Sequence, residues 1–395
     1  MILFALILFK IVPEKHKRKA LYNQYYCKNI TENKDFTEVI NLHAYLECKD
    51  LDINQKVIFE NCTYSNIDTN SRWDGLTYYG FFFFIKNSNL DILNCKFITV
   101  KCCNRFVSFE KDNGNTLNMY SNTITDFTTY GNSEAQIIYT VAKYNNFISN
   151  TITNSAKEVF RITNNNNLNI KYNTIINAPA PILGFTFSSN DSPPDSLVME
   201  HNTFKDCNGD NNKIFYIDGM TKNYTLNGFT FDNCVNKVNN KNSYIVSFIN
   251  KNDDLHLTLK DCKFLNLLGN VKGGIGLWFA DDEQYESDKH QILTFIDCVF
   301  KNVRFETDLS DADGTAGGAI SFEENAMSDS QTDLTIKRCN FTNVSTNKEG
   351  GAIYYVSKRQ LTIDGCHFEK VYSGDYKSGN AIYIEKKVDD TTTVS

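Results

Sequence analysis

From residue 57 to residue 371 the apolar and polar positions recur in one eleven-residue pattern. Its first, third and eighth positions are apolar, and its sixth is Cys or Asn in most copies. LTIKRCNFTNV begins at residue 334 and LTIDGCHFEKV begins 27 residues later, at 361. Related segments begin at 57, 90, 117, 145, 168, 197, 224, 257 and 293, so there are eleven copies, 23 to 41 residues apart. Apolar residues at the first and third positions have the period of a strand. The small or polar sixth residue predicts a turn, and the aromatic or aliphatic eighth opens a second strand. A further apolar run follows every copy, ending with GGIGLWF, GGAISF, GGAIYYV and NAIYI. It predicts a third strand, whose glycines allow a tight bend and close backbone approach.

Three short strands per repeat, restacked about 4.8 Å apart, describe an all-β, single-domain parallel β-helix solenoid of about eleven coils over residues 55–385. Inward ladders are expected from Leu257, Leu293, Leu334 and Leu361 and from Phe264, Phe300, Phe341 and Phe368. Leu-x-Ile-x-x-Cys-x-Phe is also similar to the strand of leucine-rich repeats. Those repeats need a near-constant period and a helical return, whereas here the period varies and the return is β-rich. A β-helix accepts loops of any length, because loop closure costs little extra as loops grow.

The ends read differently. Residues 1–20 open with MILFALILF and continue through KHKRK, a candidate truncated signal segment or a plain apolar start. Residues 21–54 are expected to cap the first coil, with a short amphipathic helix at 35–46 placing Phe36, Val39, Ile40, Ala44 and Tyr45 on one face. Residues 386–395 read as a polar tail that either folds over the last coil or, the favoured expectation, leads into a continuing native chain.

Composition narrows the function. Forty basic and 47 acidic residues give a net charge of −7, and no basic stripe stands out along the chain, which argues against nucleic acid as partner. No apolar stretch is long enough to span a membrane.

Gly317-Gly318-Ala319-Ile320 and Gly350-Gly351-Ala352-Ile353 match the GGA[ILV] signature outright, and Gly379-Asn380-Ala381-Ile382 and Gly273-Gly274-Ile275 are degenerate forms. An Asn follows the motif Phe by two residues in Phe264/Asn266, Phe300/Asn302 and Phe341/Asn343, where the signature F-x-x-N would have three. On these residues the chain resembles polymorphic outer-membrane protein (Pmp) repeats. The resemblance implies a right-handed β-helix of the pectin-lyase-like type, a cell-surface or extracellular location, and adhesion to a host-surface protein or glycan. Those proteins frequently carry a membrane-anchoring C-terminus, a segment that residues 386–395 do not resemble.

Candidate chemistry is sparse. Of twelve cysteines, Cys62, Cys95, Cys262, Cys298, Cys339 and Cys366 occupy the sixth position, which Asn122, Asn150, Asn173 and Asn202 fill elsewhere. A buried thiol ladder is the expectation there, since parallel Cβ vectors sit too far apart for disulfides. Cys102-Cys103 and Cys27/Cys48 are better disulfide candidates. Asp308, Asp311 and Asp313 lie within six residues and could gather around Ca²⁺, although a solvated acidic loop is the favoured reading. Asn29, Asn61, Asn190, Asn223, Asn340 and Asn343 head N-x-[ST] sequons, candidate glycosylation sites of a secreted chain. No catalytic residue is assigned. The expected role is a non-catalytic surface scaffold with an adhesin-like binding function. A polysaccharide-active β-helix enzyme, lyase or glycoside hydrolase, is the alternative. End-to-end self-association is a further expectation.

Overall fold

In the computed structural model the described residues are 5–11, 24–27, 35–36, 44–48 and, from 56 to 386, the strands and tight turns. Outside the description lie the loops 70–80, 86–88, 103–104, 110–113, 130–135, 157, 164–166, 179–182, 187–195, 209–212, 221–222, 237–243, 251–254, 270–274, 278–289, 306–316, 324–330, 358 and 375–378. Every regular element is a strand, and no helix occurs among the described residues. The chain divides into two compact units, Met1–Thr186 with Pro194–Leu197, and Phe187–Pro193 with Val198–Ser395.

Each unit is a parallel β-helix whose coils visit three sheets in turn, here called B, C and A. In the first unit, sheet B stacks Lys56–Glu60, Asn89–Leu93, Thr116–Tyr120, Tyr144–Ile148 and Asn167–Lys171 in parallel register. Sheet C stacks Thr63–Thr69, Lys96–Cys102, Thr123–Thr129, Thr151–Thr153 and Thr174–Ile176. In the second unit, sheet B stacks Tyr224–Asn227, Leu255–Lys260, His290–Ile296, Gln331–Lys337 and Leu361–Asp364. There sheet C includes Thr230–Asp232, Lys263–Leu265, Val299–Phe305, Asn340–Thr346 and His367–Tyr372. Sheet A closes each coil, as where Ile320–Glu323 pairs Ile353–Ser357 and that strand pairs Ile382–Lys386.

The register explains the motif. First-position residues meet first-position residues, Leu257 opposite Leu293, Leu293 opposite Leu334 and Leu334 opposite Leu361. The eighth position forms an aromatic stack. Phe231, Phe264, Phe300, Phe341 and Phe368 follow one another at centroid spacings of 5.5, 4.9, 4.7 and 4.8 Å. Their planes lie within 9° of parallel, so each ring covers the next. Fully burying one such side chain contributes about 1.5–3 kcal/mol. Where Asn145 replaces the first-position Leu, its Nδ2 donates to the Ala142 carbonyl at 2.6 Å and its Oδ1 accepts from Thr140 at 2.8 Å. That buried amide is thereby satisfied.

Two left-handed residues per coil make the corners. The fifth position has positive φ in every copy, from Asn61 (56°) through Asp297 (55°) to Gly365 (61°). The tenth does the same, in Asp126, Asn154, Asn266, Asn302 and Asn343 among others. Asn and Asp tolerate this region best among residues with a side chain. This is why an Asn follows the motif Phe by two residues. The GG pair uses its glycines separately. Gly317 and Gly350 take φ of 97° and 64°, while a Cβ on Gly318 or Gly351 would lie 2.3 Å or 2.0 Å from a carbonyl oxygen of the next coil.

The N-terminal cap departs from expectation. Asp35–Phe36 and Ala44–Cys48 are strands, so residues 35–46 do not form one helix; residues 37–43 lie outside the described set. Ala5–Ile11 is also a strand, antiparallel to both Gln24–Cys27 and Ala44–Cys48. The aromatic and β-branched residues of these segments favour extended backbone when a sheet edge is there to pair with. The first parallel strand of sheet A therefore meets antiparallel strands on its outer edge.

Candidate binding faces

The sixth position is an interior ladder in which Asn and Cys are interchangeable. Asn150 Nδ2 donates to the Met119 carbonyl at 2.8 Å and to Asn173 Oδ1 at 3.0 Å, and its backbone N–H also donates to Asn173 Oδ1 at 3.0 Å. Cysteine copies the scheme with sulfur. The backbone N–H of Cys339 donates to Cys366 Sγ at 3.4 Å, and Cys298 Sγ contacts the Leu259 carbonyl at 3.4 Å. Cys62, Cys95, Cys262, Cys298, Cys339 and Cys366 are all free thiols. A hydrogen bond with Cys262, reinforced by burial, pushes Cys298 up to about 12. Cys95 and Cys339 shift the same way, through the thiol of the adjoining coil and through burial. Cys62, at the start of the column, moves the other way, down to about 7, through its hydrogen bond with the Cys95 thiol. Protonated, buried thiols are poor nucleophiles, and all of these cysteines but the half-buried Cys366 are buried, so this column is core. Cys207 and Cys234 are two further buried thiols, hydrogen-bonded to each other, at the eleventh position of adjacent copies. That pairing stands in FKDC and FDNC but was not assigned from the sequence. Of Cys27, Cys48, Cys102 and Cys103 no side chain is described.

Asp308, Asp311 and Asp313 fall in the loop 306–316, outside the described residues, as do Asn29 and Asn190. Among the described residues no cluster of three metal-binding side chains occurs. Asn61, Asn223, Asn340 and Asn343 are exposed. Asn343 Nδ2 donates to Asn302 Oδ1 at 2.9 Å, and Asn223 Oδ1 accepts from the His256 backbone at 3.1 Å. All but Asn223 lie at or beside a corner of the coil.

What the fold does present is outward-facing columns. On sheet C of the first unit Thr123, Thr151 and Thr174 stand in register, and Thr125, Thr153 and Ile176 form a second column beside them. The corner next to these carries Asn154, bonded to Asp126 Oδ1 at 2.8 Å, and Asn177, bonded to Asn154 Oδ1 at 2.9 Å. On sheet B, Asn118 donates to Asp91 at 2.7 Å and Asn146 donates to Asn118 at 2.8 Å, with Asn169 continuing the column at 3.3 Å from Asn146. Ser121, Ser149 and Tyr172 project from the turn between the two sheets, Tyr172 at 54% exposure. Hydroxyls and carboxamides dominate this face, with Glu60, Lys96, Lys101, Asp126 and Lys171 among its charges; Lys96 stands in register with Thr123, and Asp91 is buried.

Sheets B and C of the second unit carry charge instead. Arg338 grips Asp297 through Nε at 2.7 Å and Nη2 at 2.8 Å, holding that carboxyl below the usual carboxylate range. Lys260 adds to the effect. The class of protein is thus a parallel β-helix with a buried Asn/Cys ladder and two chemically distinct lateral faces. The chain matches no protein-family model, no curated protein and no solved structure.

Proposed function

We propose that the chain is a non-catalytic β-helical scaffold, secreted or held at a cell surface, that binds glycans through the hydroxyl and carboxamide face of its first unit. The observation that supports this is the register of Thr123, Thr151 and Thr174 beside Asn154 and Asn177, with Tyr172 exposed between the sheets. Sugars are recognised by ordered donors and acceptors around an amphipathic aromatic ring, and Tyr supplies such a ring. Fixed columns suit this, because their side chains are ordered before binding. The GGAI repeats resemble those of Pmp-type surface proteins, a resemblance that would imply adhesion to a glycan or protein on a facing surface. A fold alone does not make an enzyme.

A glycan array probed with the full chain tests this reading. Neutral oligosaccharides are expected to bind, and Tyr172→Ala is expected to weaken binding about tenfold, on the order of 1.4 kcal/mol. An array showing no neutral glycan bound, or binding indifferent to Tyr172→Ala, would remove the proposal. Release of reducing ends or unsaturated products from any polysaccharide would favour the enzyme.

A further inference from the structure

The second unit gathers cations that are scattered in the sequence. Take the coils beginning at Leu257, Leu293 and Leu334, from the fourth motif position to the twelfth. Lys260, Lys263, Lys301, Arg304, Lys337 and Arg338 all point outward there, against two carboxylates, Asp261 and Asp297. Five of the six cations are exposed and Lys337 is half-buried. Register fixes their arrangement. Lys260 and Lys337 share one column with Ile296 between them, so they lie two coils, or about 9.6 Å, apart. Lys263 faces Val299 and Lys301 faces Leu265, which makes the two lysines diagonal neighbours about 7–8 Å apart. Arg304 continues outward from Lys301 along the strand Val299–Phe305. Asp297 is already engaged by Arg338. In a chain of net charge −7 this strip is a local reversal of sign.

The neighbours of the strip define what would sit on it. Along one side runs a hydroxyl column, Thr258, Thr294 and Thr335 in register. Across it runs the carboxamide column of Asn266, Asn302 and Asn343, joined at 2.8 and 2.9 Å. Among the described residues no aromatic side chain projects between these cations to stack a base, as single-stranded nucleic acid requires. Among the described residues of the strip no exposed apolar cluster is present to enter a lipid surface. Spaced cations with hydroxyl and carboxamide partners match a polymer carrying both anionic groups and free hydroxyls.

We infer that this strip, residues 260–263, 301–304 and 337–338, is a binding site for an anionic polysaccharide bearing carboxylates or sulfates. The site is separate from the neutral face of the first unit and does not depend on it. Acidic sugar residues would be held by Lys263 and Lys301, flanked by Lys260, Lys337 and Arg304. Their hydroxyls would meet the threonine and asparagine columns.

The test uses the full chain produced without N-glycans, since the sequons at Asn340 and Asn343 lie in the same strip. Binding to immobilised heparin and to alginate is measured at about 0.05 M and about 0.3 M salt, where screening differs strongly. Binding to at least one polymer is expected, weaker at the higher salt; heparin against alginate separates sulfate from carboxylate recognition. The double variant Lys263→Glu/Lys301→Glu should lose about tenfold or more in affinity, because two attractions become repulsions. Lys96→Glu, on the first unit, should bind as the native chain does. Both changes are on exposed side chains, and an unchanged melting temperature would verify that the fold is intact. The inference falls if neither polymer binds at low salt or if the double variant binds unchanged. It also falls if RNA, poly-glutamate or anionic vesicles bind as tightly as the better polysaccharide. Loss of neutral-glycan binding in Tyr172→Ala with heparin or alginate binding retained, or the reverse, tells which face fails.

Discussion

The backbone N–H of Cys298 donates to the sulfur of Cys339 at 3.4 Å, the same contact that the backbone of Asn122 makes with Asn150 Oδ1 at 3.1 Å. One slot thus accepts either an amide oxygen or a sulfur as acceptor for the adjoining coil. Asn150→Ala would take from the Asn122 backbone N–H its acceptor, at about 1–3 kcal/mol when buried, and would remove one bond each from Asn122 Nδ2, which keeps the Ile92 carbonyl, and from the Met119 carbonyl. Asn150→Cys keeps an acceptor in place and should recover part of that loss. Urea unfolding of the two variants checks this, and equal destabilisation would show that sulfur is no substitute here.

The buried thiols should react only when the chain opens. With native protein, alkylation of Cys298 and Cys339 is expected to await denaturant, and Cys366, half-buried at the end of the column, should react earlier. Mass spectrometry without reduction reads this directly, and a linked Cys298–Cys339 peptide would refute the ladder. The raised Cys298 has a pH consequence. Its protonated form is favoured by folding, so its contribution is whole below the usual thiol value of about 8.5 and is lost as pH rises through about 12. Melting temperatures should therefore fall less between those pH values in Cys298→Ala than in the native chain.

The eleven copies were legible because parallel register forces the same residue type to recur: Leu293 needs Leu257 below it and Leu334 above it. The cationic strip was not. Lys263 and Lys301 become neighbours only once coils of unequal length are aligned, and loops of varying size hide that in a linear scan. At residues 35–46 the spacing of Phe36, Val39 and Ile40 suited a helix, but a sheet edge outcompeted local periodicity at both ends of the segment. MILFALILF reads as a signal-like run because an apolar strand and a short apolar leader share their composition. The acidic loop of Asp308, Asp311 and Asp313 lies outside the described residues, and its Ca²⁺ expectation stands as it was.

Phe341 sits between Phe300 at 4.7 Å and Phe368 at 4.8 Å, fully buried. Phe341→Ala removes one ring from the stack and leaves a cavity that the flanking rings cannot fill. A loss of about 3–5 kcal/mol is expected from chemical denaturation. A loss near zero would mean that the register is wrong.

The two kinds of glycine should respond differently to alanine. A Cβ on Gly351 would meet the Asn380 carbonyl oxygen at 2.0 Å and the backbone of Tyr372 at 2.7 Å. Neither atom can move without displacing a coil, so Gly351→Ala should cost several kcal/mol, beyond the about 1–3 of ordinary overpacking. Gly365 has φ of 61° but nothing closer than 3.4 Å, and other residues hold the same corner in other coils. Gly365→Asn should therefore be nearly neutral. Thermal melts of the two single variants distinguish steric approach from backbone conformation.

The coil of Leu361–Asp364, His367–Tyr372 and Ile382–Lys386 is paired on one side only among the described residues. Its core side chains show the consequence. Phe341 is fully buried one coil below, whereas Leu361, Phe368, Val371 and Ile382 are half-buried and Ile384 is 59% exposed. Unpaired strands with apolar residues invite a second chain. Glu369, Lys370 and Glu385 place some charge along these edges, but the Leu361–Asp364 strand carries none ahead of its terminal Asp364. The 395-residue chain is expected to exchange amide hydrogens fastest here, or to self-associate through these strands at high concentration. Hydrogen exchange followed by mass spectrometry, with molar mass from light scattering, separates the outcomes. Lower protection at Ile382 than at Phe264 in a monomer supports fraying. A dimer that Ile384→Lys dissociates supports pairing. Protection at Ile382 equal to that at Phe264, in a proven monomer, would show that another segment of the chain covers the edge.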